Sequence, residues 1–396
     1  MSFKSKLKTK LIQAAFHVFR IFPLQDKVVA TTMRGRKYGD NPGYILEYLH
    51  SVRPQLKLRW LHHITFKYSI PSFIKSVSYY NSALRKVYEM ATAKVWINSH
   101  RFEPYIRKRR GQLFIETWHG GLGIKKIEGD LKEIRSSAHY MNELHNTNKM
   151  ADVFISQSDH LSRIYRTAFG YEGPIYKCGY PKNDCILNDD GSSKKRVHEQ
   201  LGIPNSIHLC LYAPTFRSSF EKTGKVDFSV YDIDFNRLHN SLTRKFGGEW
   251  MILLKWHPIM LKSISGFSYD QSKVMDVTSE NDMQSLIMAA DVMISDYSSC
   301  IFDAELRRIP CFTFATDFEA YKADRGVYYE MDELPFPYAR NNEELEQHIM
   351  SFDEEEYQQK LNAFNERTCL YETGHATEDI GNKILNFIDG KKVVWE

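Results

Sequence analysis

Three stretches in the second half of this chain end apolar runs in side chains that suit an anionic oxygen. Val292-Met-Ile-Ser-Asp296-Tyr297-Ser298-Ser299-Cys300 reads as a buried strand that ends in a polar turn and opens a helix. Free backbone N–H groups and two hydroxyls then face outward with the positive end of the helix dipole behind them, an arrangement that holds a diphosphate without a metal. Ser and Asp favour helix starts in general, so this stretch taken alone reads first as a structural cap. Leu209-Cys-Leu-Tyr212-Ala-Pro214-Thr215-Phe216-Arg217 and Trp250-Met-Ile-Leu-Leu-Lys255-Trp256-His257-Pro258 repeat the pattern. Thr215 with Arg217, Lys255 with His257, and Ser298 with Ser299 are donors matched to the charge that builds on a departing nucleotide phosphate. Polar residues crowd loop ends in most proteins, and it is the convergence of three sets that points to a site.

A proton acceptor stands in the first half. Leu113-Phe-Ile-Glu-Thr-Trp118-His119-Gly120-Gly121-Leu-Gly123 runs from a strand into a glycine-rich turn and places one imidazole at the carboxyl end of that strand, where doubly wound sheets bind ligands. Histidine takes a proton near neutral pH, and the glycines after it let backbone approach a substrate. The plain alternative is a hydrogen-bonded structural histidine. Gly179-Tyr180-Pro181-Lys182-Asn183-Asp184 reads by composition as a tight turn at a helix and no more.

These residues need strands to carry them. Apolar, β-rich runs alternate with helix-length segments: Lys27–Thr32, Leu56–His62, Lys94–Asn98, Leu113–Thr117, Val153–Ser156 and Ile175–Lys177, then Ile207–Tyr212, Trp250–Lys255, Val274–Val277, Val292–Ser295 and Cys311–Phe314. This alternation marks parallel sheets with crossover helices. The polar stretch Asn188-Asp-Asp-Gly-Ser-Ser-Lys-Lys-Arg196 separates the two series as a linker or the start of a connecting helix. The expected α/β architecture is two Rossmann-like domains, 25–190 and 197–390, facing a central cleft and preceded by an amphipathic helix over 1–24.

The 396 residues suffice for two such domains, and 42% apolar with 13% aromatic residues excludes a mainly disordered chain. A net charge of +4 gives no support to nucleic-acid binding. Cysteines at 178, 185, 210, 300, 311 and 369 lack the short paired spacing of a zinc site or disulfide framework and suit a reducing, cytoplasmic compartment. No run of eighteen apolar residues is present. Phe3, Leu7, Leu11, Ala14, Ala15, Val18, Phe19 and Phe22 recur at helical spacing among Lys4, Lys6, Lys8, Lys10 and Arg20. That pattern fits a basic amphipathic helix on an anionic membrane surface, and equally a helix packed on the first domain with its lysines in water. Arg101 and the run Arg107-Lys108-Arg109-Arg110 would extend a basic surface or stand as solvated charges.

In order along the chain, Trp118-His119-Gly120, Gly179-Tyr180-Pro181-Lys182-Asn183-Asp184, Tyr212-Ala213-Pro214-Thr215-Phe216-Arg217, His257-Pro258 and Asp296-Tyr297-Ser298-Ser299 with Phe302-Asp303 resemble the CDP-glycerol glycerophosphotransferases of teichoic-acid and related capsule-polymer synthesis. The resemblance runs from Gly39-Asp40-Asn41-Pro42 to the segment Asp317 to Tyr328. It implies a GT-B-like fold, a CDP-linked polyol phosphate donor, no cofactor, no metal, and a lipid-linked saccharide or polymer acceptor at the cytoplasmic face of the plasma membrane. The acceptor hydroxyl would attack the β-phosphorus and release CMP. By the same resemblance His119 is the general base, with Trp118, Gly120, Asn183 and Asp184 on the acceptor side. His257 with Thr215 and Arg217 stabilises phosphate, and Ser298 and Ser299 contact the donor diphosphate; Lys255 and Asp296 join the donor side by their places at the strand ends. After Gly120 the chain departs from the Thr-Pro usual in that family and reads Gly121-Leu122-Gly123-Ile124-Lys125-Lys126. CDP-ribitol is the rival donor. A nucleotide-sugar glycosyltransferase or epimerase is the rival enzyme, and a non-catalytic membrane-surface protein is the alternative to any enzyme.

Overall fold

Strands buried on both faces need no polar alternation, and each predicted strand forms within a residue or two of its expected bounds. The computed structural model describes residues 3–63, 70–79, 82–217, 226–257, 260, 263, 267–280 and 282–395. Pro258, which was read with His257, lies outside them. The chain divides into two compact units. Unit 1 comprises Met1–His119, Glu128–Asp184 and Leu370–Glu396, and unit 2 comprises Gly120–Ile127 and Cys185–Cys369.

In unit 1, β1 (Gln25–Thr31), β2 (Lys57–His62), β3 (Lys75–Ser78), β4 (Ala93–Asn98), β5 (Leu113–Glu116), β6 (Val153–Ser156) and β7 (Ile175–Lys177) form one parallel sheet in the order β3-β2-β1-β4-β5-β6-β7. Unit 2 holds β8 (Ile207–Ala213), β9 (Glu249–Leu254), β10 (Val274–Asp276), β11 (Val292–Ser295), β12 (Cys311–Phe314) and β13 (Tyr338–Ala339), also all parallel, in the order β10-β9-β8-β11-β12-β13. Both are doubly wound, with the strand order reversing between β1 and β4 and between β8 and β11. Those two reversal points decide where each half-site can stand, because the crossovers leave on opposite faces there and open a crevice at the strand ends. The sequence did not predict β3 and β13. Each is a short edge strand; β3 buries only Val77, so neither carries the continuous apolar run of an inner strand.

The C-terminal helix corrects the expected boundary at 390. Ala376–Ile388 buries Ile380, Ile384, Leu385 and Ile388 and packs in unit 1 against α2 (Asp40–Val52). Tyr48 donates to Asn382 (3.0 Å), and Arg53 forks onto Asp389 with two bonds of 2.8 Å. A Cβ on Gly381 would come within 2.3 Å of the Tyr48 ring, so the close approach of the two helices needs glycine there. An amphipathic stripe announces that a helix has a partner without saying which sheet supplies it. The proposed linker also resolves partly into structure, since Ser192 begins the helix Ser192–Leu201.

Helix α1 (Phe3–Phe19) packs on unit 1 through one side of its pattern. Ile12 and Phe16 are buried in the core of unit 1, and Phe19 meets Tyr88 of α3 (Ala83–Thr92) edge-on at 5.5 Å. Leu7, Leu11 and Val18 lie exposed on the adjoining stripe, followed by Ile21 and Phe22. The basic run after residue 100 is not an open surface. Arg109 donates to the carbonyls of Arg20 and Phe22 (2.9 and 3.0 Å), where cations complement the C-terminal end of a helix dipole. Arg107 reaches Asn146, Lys108 pairs with Asp152, and Arg101 pairs with Glu128. No helix of the described residues is long and apolar enough to cross a membrane. None of the six cysteines is paired.

Candidate active site

His119 follows β5 through a strained turn. Trp118 is buried with φ 53°, a left-handed conformation that costs a bulky residue about 1–3 kcal/mol and persists only where neighbours enforce it. The enforcement is visible: the Trp118 N–H donates to Glu116 Oε1 (3.0 Å), and its carbonyl accepts from Asn41 Nδ2 (3.1 Å) and Thr117 Oγ1 (3.1 Å). Glu116 is wholly buried, and burial pushes its carboxyl well above the usual range. Met33, Arg34, Asp40 and Glu128 share positive φ, so five of the seven such non-glycine residues among those described gather in this part of unit 1. Such backbone strain costs free energy and clusters at functional sites in proteins generally.

The tautomer of His119 follows from one bond. Its Nδ1 lies 2.8 Å from the Ser99 carbonyl, which accepts only, so Nδ1 carries the hydrogen and Nε2 is the basic atom of the neutral ring. Ser99 ends β4 at the strand-order reversal, opposite Thr32 at the end of β1, and both hydroxyls donate to Asp40 Oδ2 at 3.1 Å. His100 sits beside His119 with ring centroids 5.6 Å apart. Burial first, then His119, Arg101, Arg34 and Arg36, holds His100 well below the usual imidazole range. Of the two rings, His119 is therefore the one held in a fixed tautomer.

Two other residues expected on the acceptor side, Asn183 and Asp184, make hydrogen bonds within unit 1. Asn183 donates to Glu372 Oε1 (2.8 Å), and Asp184 accepts from the backbone N–H groups of Ala376 (3.1 Å) and Thr377 (2.6 Å), capping the C-terminal helix. Asn41, buried at the start of α2, bonds both the Trp118 carbonyl and the Lys182 N–H (3.1 Å) and so joins two of the expected motifs. Gly120 belongs to unit 2, one residue past the division of the chain.

In unit 2 the expected residues gather at the reversal between β8 and β11. The Thr215 N–H donates to Asp296 Oδ1 (2.8 Å), as does that of Tyr297 (2.6 Å). Arg217 Nη1 donates to Asp296 Oδ2 (2.8 Å) and the Thr215 carbonyl (2.5 Å); Nε and Nη2 fork onto Asp317 (2.7 and 2.9 Å). The guanidinium thus commits four of its five N–H groups to the protein. Burial opposes its charge, but Asp296 and Asp317 outweigh burial and keep it protonated. Arg217 and Asp296 therefore form a clasp between the two strand ends, with both Asp296 oxygens accepting hydrogen bonds from neighbouring protein groups. Tyr297 donates to Asp317 (2.8 Å) and stacks on Tyr321 at 3.7 Å, fixing the turn that presents Ser298 and Ser299.

Ser298 Oγ accepts from the Cys300 N–H (3.4 Å), and the Ser299 hydroxyl makes no hydrogen bond among the described residues. Thr215 Oγ1 is buried and has no hydrogen-bond partner among the described residues. Lys255 turns its ammonium to the carbonyls of Glu280 (2.6 Å) and Val277 (3.5 Å), which explains its burial and ties β9 to the loop after β10. His257 is partly exposed against Phe216, ring centroids 4.6 Å apart. Sequence reasoning missed Asp317, Tyr321, Ser99 and Asn41 as site builders. Their partners lie far along the chain, and only the strand order brings them together.

The chain matches the family described as CDP-glycerol:poly(glycerophosphate) glycerophosphotransferase over residues 14–386. It is 30% identical over 369 residues to a teichoic acid poly(glycerol phosphate) polymerase of Staphylococcus epidermidis, covering 90% of this chain and 50% of that protein. It thus spans about half the length of that relative. A teichoic acid glycerol-phosphate transferase of Staphylococcus aureus is 26% identical, with 96% of this chain and 98% of the relative covered. Among solved structures, a histidine variant of the wall teichoic acid polymerase TagF soaked with CDPG superposes with a TM-score of 0.82 at 25% identity, covering 98% of this chain and 99% of the other.

Proposed function

The chain belongs to the CDP-glycerol:poly(glycerophosphate) glycerophosphotransferase family, and from that premise we propose that it transfers glycerol 3-phosphate from CDP-glycerol to a hydroxyl of a lipid-linked saccharide or polymer in teichoic-acid or related cell-surface polymer synthesis. The observation that carries this reading is the His119–Ser99 bond, inside a family match that includes both half-sites. It leaves Nε2 as the atom that accepts a proton from an attacking hydroxyl. As that hydroxyl oxygen bonds to the β-phosphorus, the bond from phosphorus to the bridging oxygen breaks, and CMP leaves with the electron pair. Such displacement needs positioning and charge stabilisation rather than a covalent intermediate. Trp118 and the Asn41 anchor position the base, and unit 2 holds the donor through Thr215, His257, Ser298 and Ser299, with Arg217 and Asp296 shaping the turn.

The membrane enters through α1. Its exposed Leu7, Leu11 and Val18 stand clear of the buried Ile12 and Phe16, so the helix is both docked on unit 1 and left with an apolar stripe to insert at the cytoplasmic face of the plasma membrane. Replacing Leu7, Leu11 and Val18 by glutamine is expected to leave the melting temperature unchanged and to abolish co-sedimentation with vesicles containing phosphatidylglycerol. Activity on membrane-embedded acceptor should fall while activity on a soluble analogue stays. Equal losses on both acceptors would assign the stripe to packing.

The direct test is incubation with CDP-glycerol and, separately, CDP-ribitol, each with a lipid-linked disaccharide, following CMP and the acceptor's mass. CMP release with a gain of glycerol phosphate units supports the reading, and a gain of ribitol phosphate moves the donor within the same chemistry. Release of a nucleoside diphosphate would instead mark a nucleotide-sugar glycosyltransferase.

A further inference from the structure

The segment Gly120–Ile127 packs within unit 2, where it pairs with the chain that follows the helix Phe318–Arg325. Lys125 and Val327 form an antiparallel bridge, the Tyr328 N–H donates to the Ile124 carbonyl (2.7 Å), and the Lys126 N–H donates to the Gly326 carbonyl (3.0 Å). The Ile127 N–H donates to the Tyr328 hydroxyl (3.3 Å). Gly326 has φ 71°, and a Cβ there would meet Lys126 Cδ at 2.9 Å, so Lys126 covers Gly326. In an extended segment the neighbouring side chain takes the opposite face. On that face Lys125, partly buried, feels the charges of Arg325, Asp296 and Arg217.

Neither the Lys125 nor the Arg325 side chain makes a hydrogen bond or an ion pair with any described residue. The carboxylates within reach are engaged already, since Asp296 and Asp317 accept from Arg217, Tyr297 and backbone N–H groups. Three cations therefore face two carboxylates beside the Ser298–Cys300 turn. Burial pushes the Cys300 thiol up to about 11, so it supplies no negative charge at neutral pH. The C-terminal end of the helix dipole accounts for Arg325 at the last position of its helix. It does not account for a second cation, partly withdrawn from water and placed beside the first, which is unfavourable unless an anion joins them.

We propose that Lys125 and Arg325 are a two-cation clamp for the diphosphate of the donor nucleotide. The identity of that nucleotide rests on the reading given above; the clamp itself requires only a diphosphate. As CMP departs with the electron pair of the broken bond, its phosphate gains one negative charge, so the clamp grips the leaving group more strongly as the reaction proceeds. Burial, then Arg325, lowers the Lys125 ammonium to about 8, with Asp296 opposing and Arg217 adding to the shift. The proton that the clamp needs is thus present below about pH 8 and lost above it, and affinity for a diphosphate should fall between pH 7 and 9.

Titration calorimetry of the full chain with inorganic pyrophosphate and with CDP-glycerol tests this, using the parent protein, Lys125→Gln, Arg325→Gln and Lys125→Arg. The clamp predicts that each glutamine variant weakens both ligands roughly tenfold or more, as loss of a charge-assisted bond does, with melting unchanged. Lys125→Arg should retain affinity and lose the decline above pH 8. Glutamine variants that bind pyrophosphate like the parent overturn the clamp while the donor reading stands. A parent that binds pyrophosphate but not CDP-glycerol, with variants that lose pyrophosphate, overturns the donor reading and keeps the clamp. A parent that binds neither ligand overturns the clamp.

Discussion

His119→Ala is expected to lower kcat by about 10²–10⁴, the worth of a positioned general base, while the Kd for CMP stays within twofold. The loss is confined to turnover because the imidazole is held by unit 1 through the Ser99 carbonyl, whereas the donor-side groups are organised by the separate Asp296–Arg217 clasp of unit 2. His119→Asn is the sharper variant. Its amide can still donate to the Ser99 carbonyl and preserve the turn, but it has no basic nitrogen for the attacking hydroxyl. A protein with that substitution should therefore melt like the parent and still be inactive. Near-normal turnover in His119→Asn would remove the base from the mechanism and return His119 to the structural role that a lone strand-end histidine often has. Turnover is to be read with saturating CDP-glycerol, so that a weakened donor is not mistaken for a missing base.

How much of this was legible in the residues depends on the range over which each feature is encoded. The inner strands were readable because burial on both faces writes itself as a local apolar run, as in Leu209 to Tyr212 and Val292 to Ile294. The edge strands β3 and β13 were not, since they bury too little to leave that trace. Strand order is encoded nowhere locally, and it decides the chemistry here. Placing β8 beside β11 makes Arg217 a partner of Asp296, and placing β4 beside β1 brings Ser99 to Thr32 and Asp40. Arg217, Lys255 and Asp296 are residue types that a phosphate site would use, yet Arg217 and Asp296 spend most of their polar atoms on neighbouring protein side chains and turns. Lys255 spends its own on backbone carbonyls. A cation at a strand end looks the same in sequence whether it meets substrate or a carboxylate brought in from a hundred residues away. The same limit hid Lys125 and Arg325, which are unremarkable one by one and informative only side by side.

Arg217→Ala carries the second large effect, and it should appear in stability as well as in turnover. The side chain is buried, stands over the rings of Tyr231, Tyr297 and Tyr321 at 4.8–5.3 Å, and satisfies two carboxylates at once. Removing one partner of a buried ion pair leaves uncompensated charge and costs about 3–5 kcal/mol, which for a unit of this size lowers its melting transition by roughly 6–20 °C. Arg217→Lys should recover little, because a single ammonium cannot fork onto Asp317 while also reaching Asp296. The double variant Arg217→Ala with Asp317→Asn separates the two origins of the effect. If Arg217 works as a clasp, neutralising Asp317 relieves part of the stranded charge, and the double variant melts above the single one. Its affinity for CDP-glycerol should nevertheless remain low, because the turn that presents Ser298 and Ser299 has lost the guanidinium that ties Asp296 to position 317. A double variant that melts no higher than Arg217→Ala would mean that the carboxylate was never stranded. The guanidinium would then be contributing through its aromatic neighbours and its one uncommitted N–H, and Arg217 would return to the role of a direct phosphate ligand.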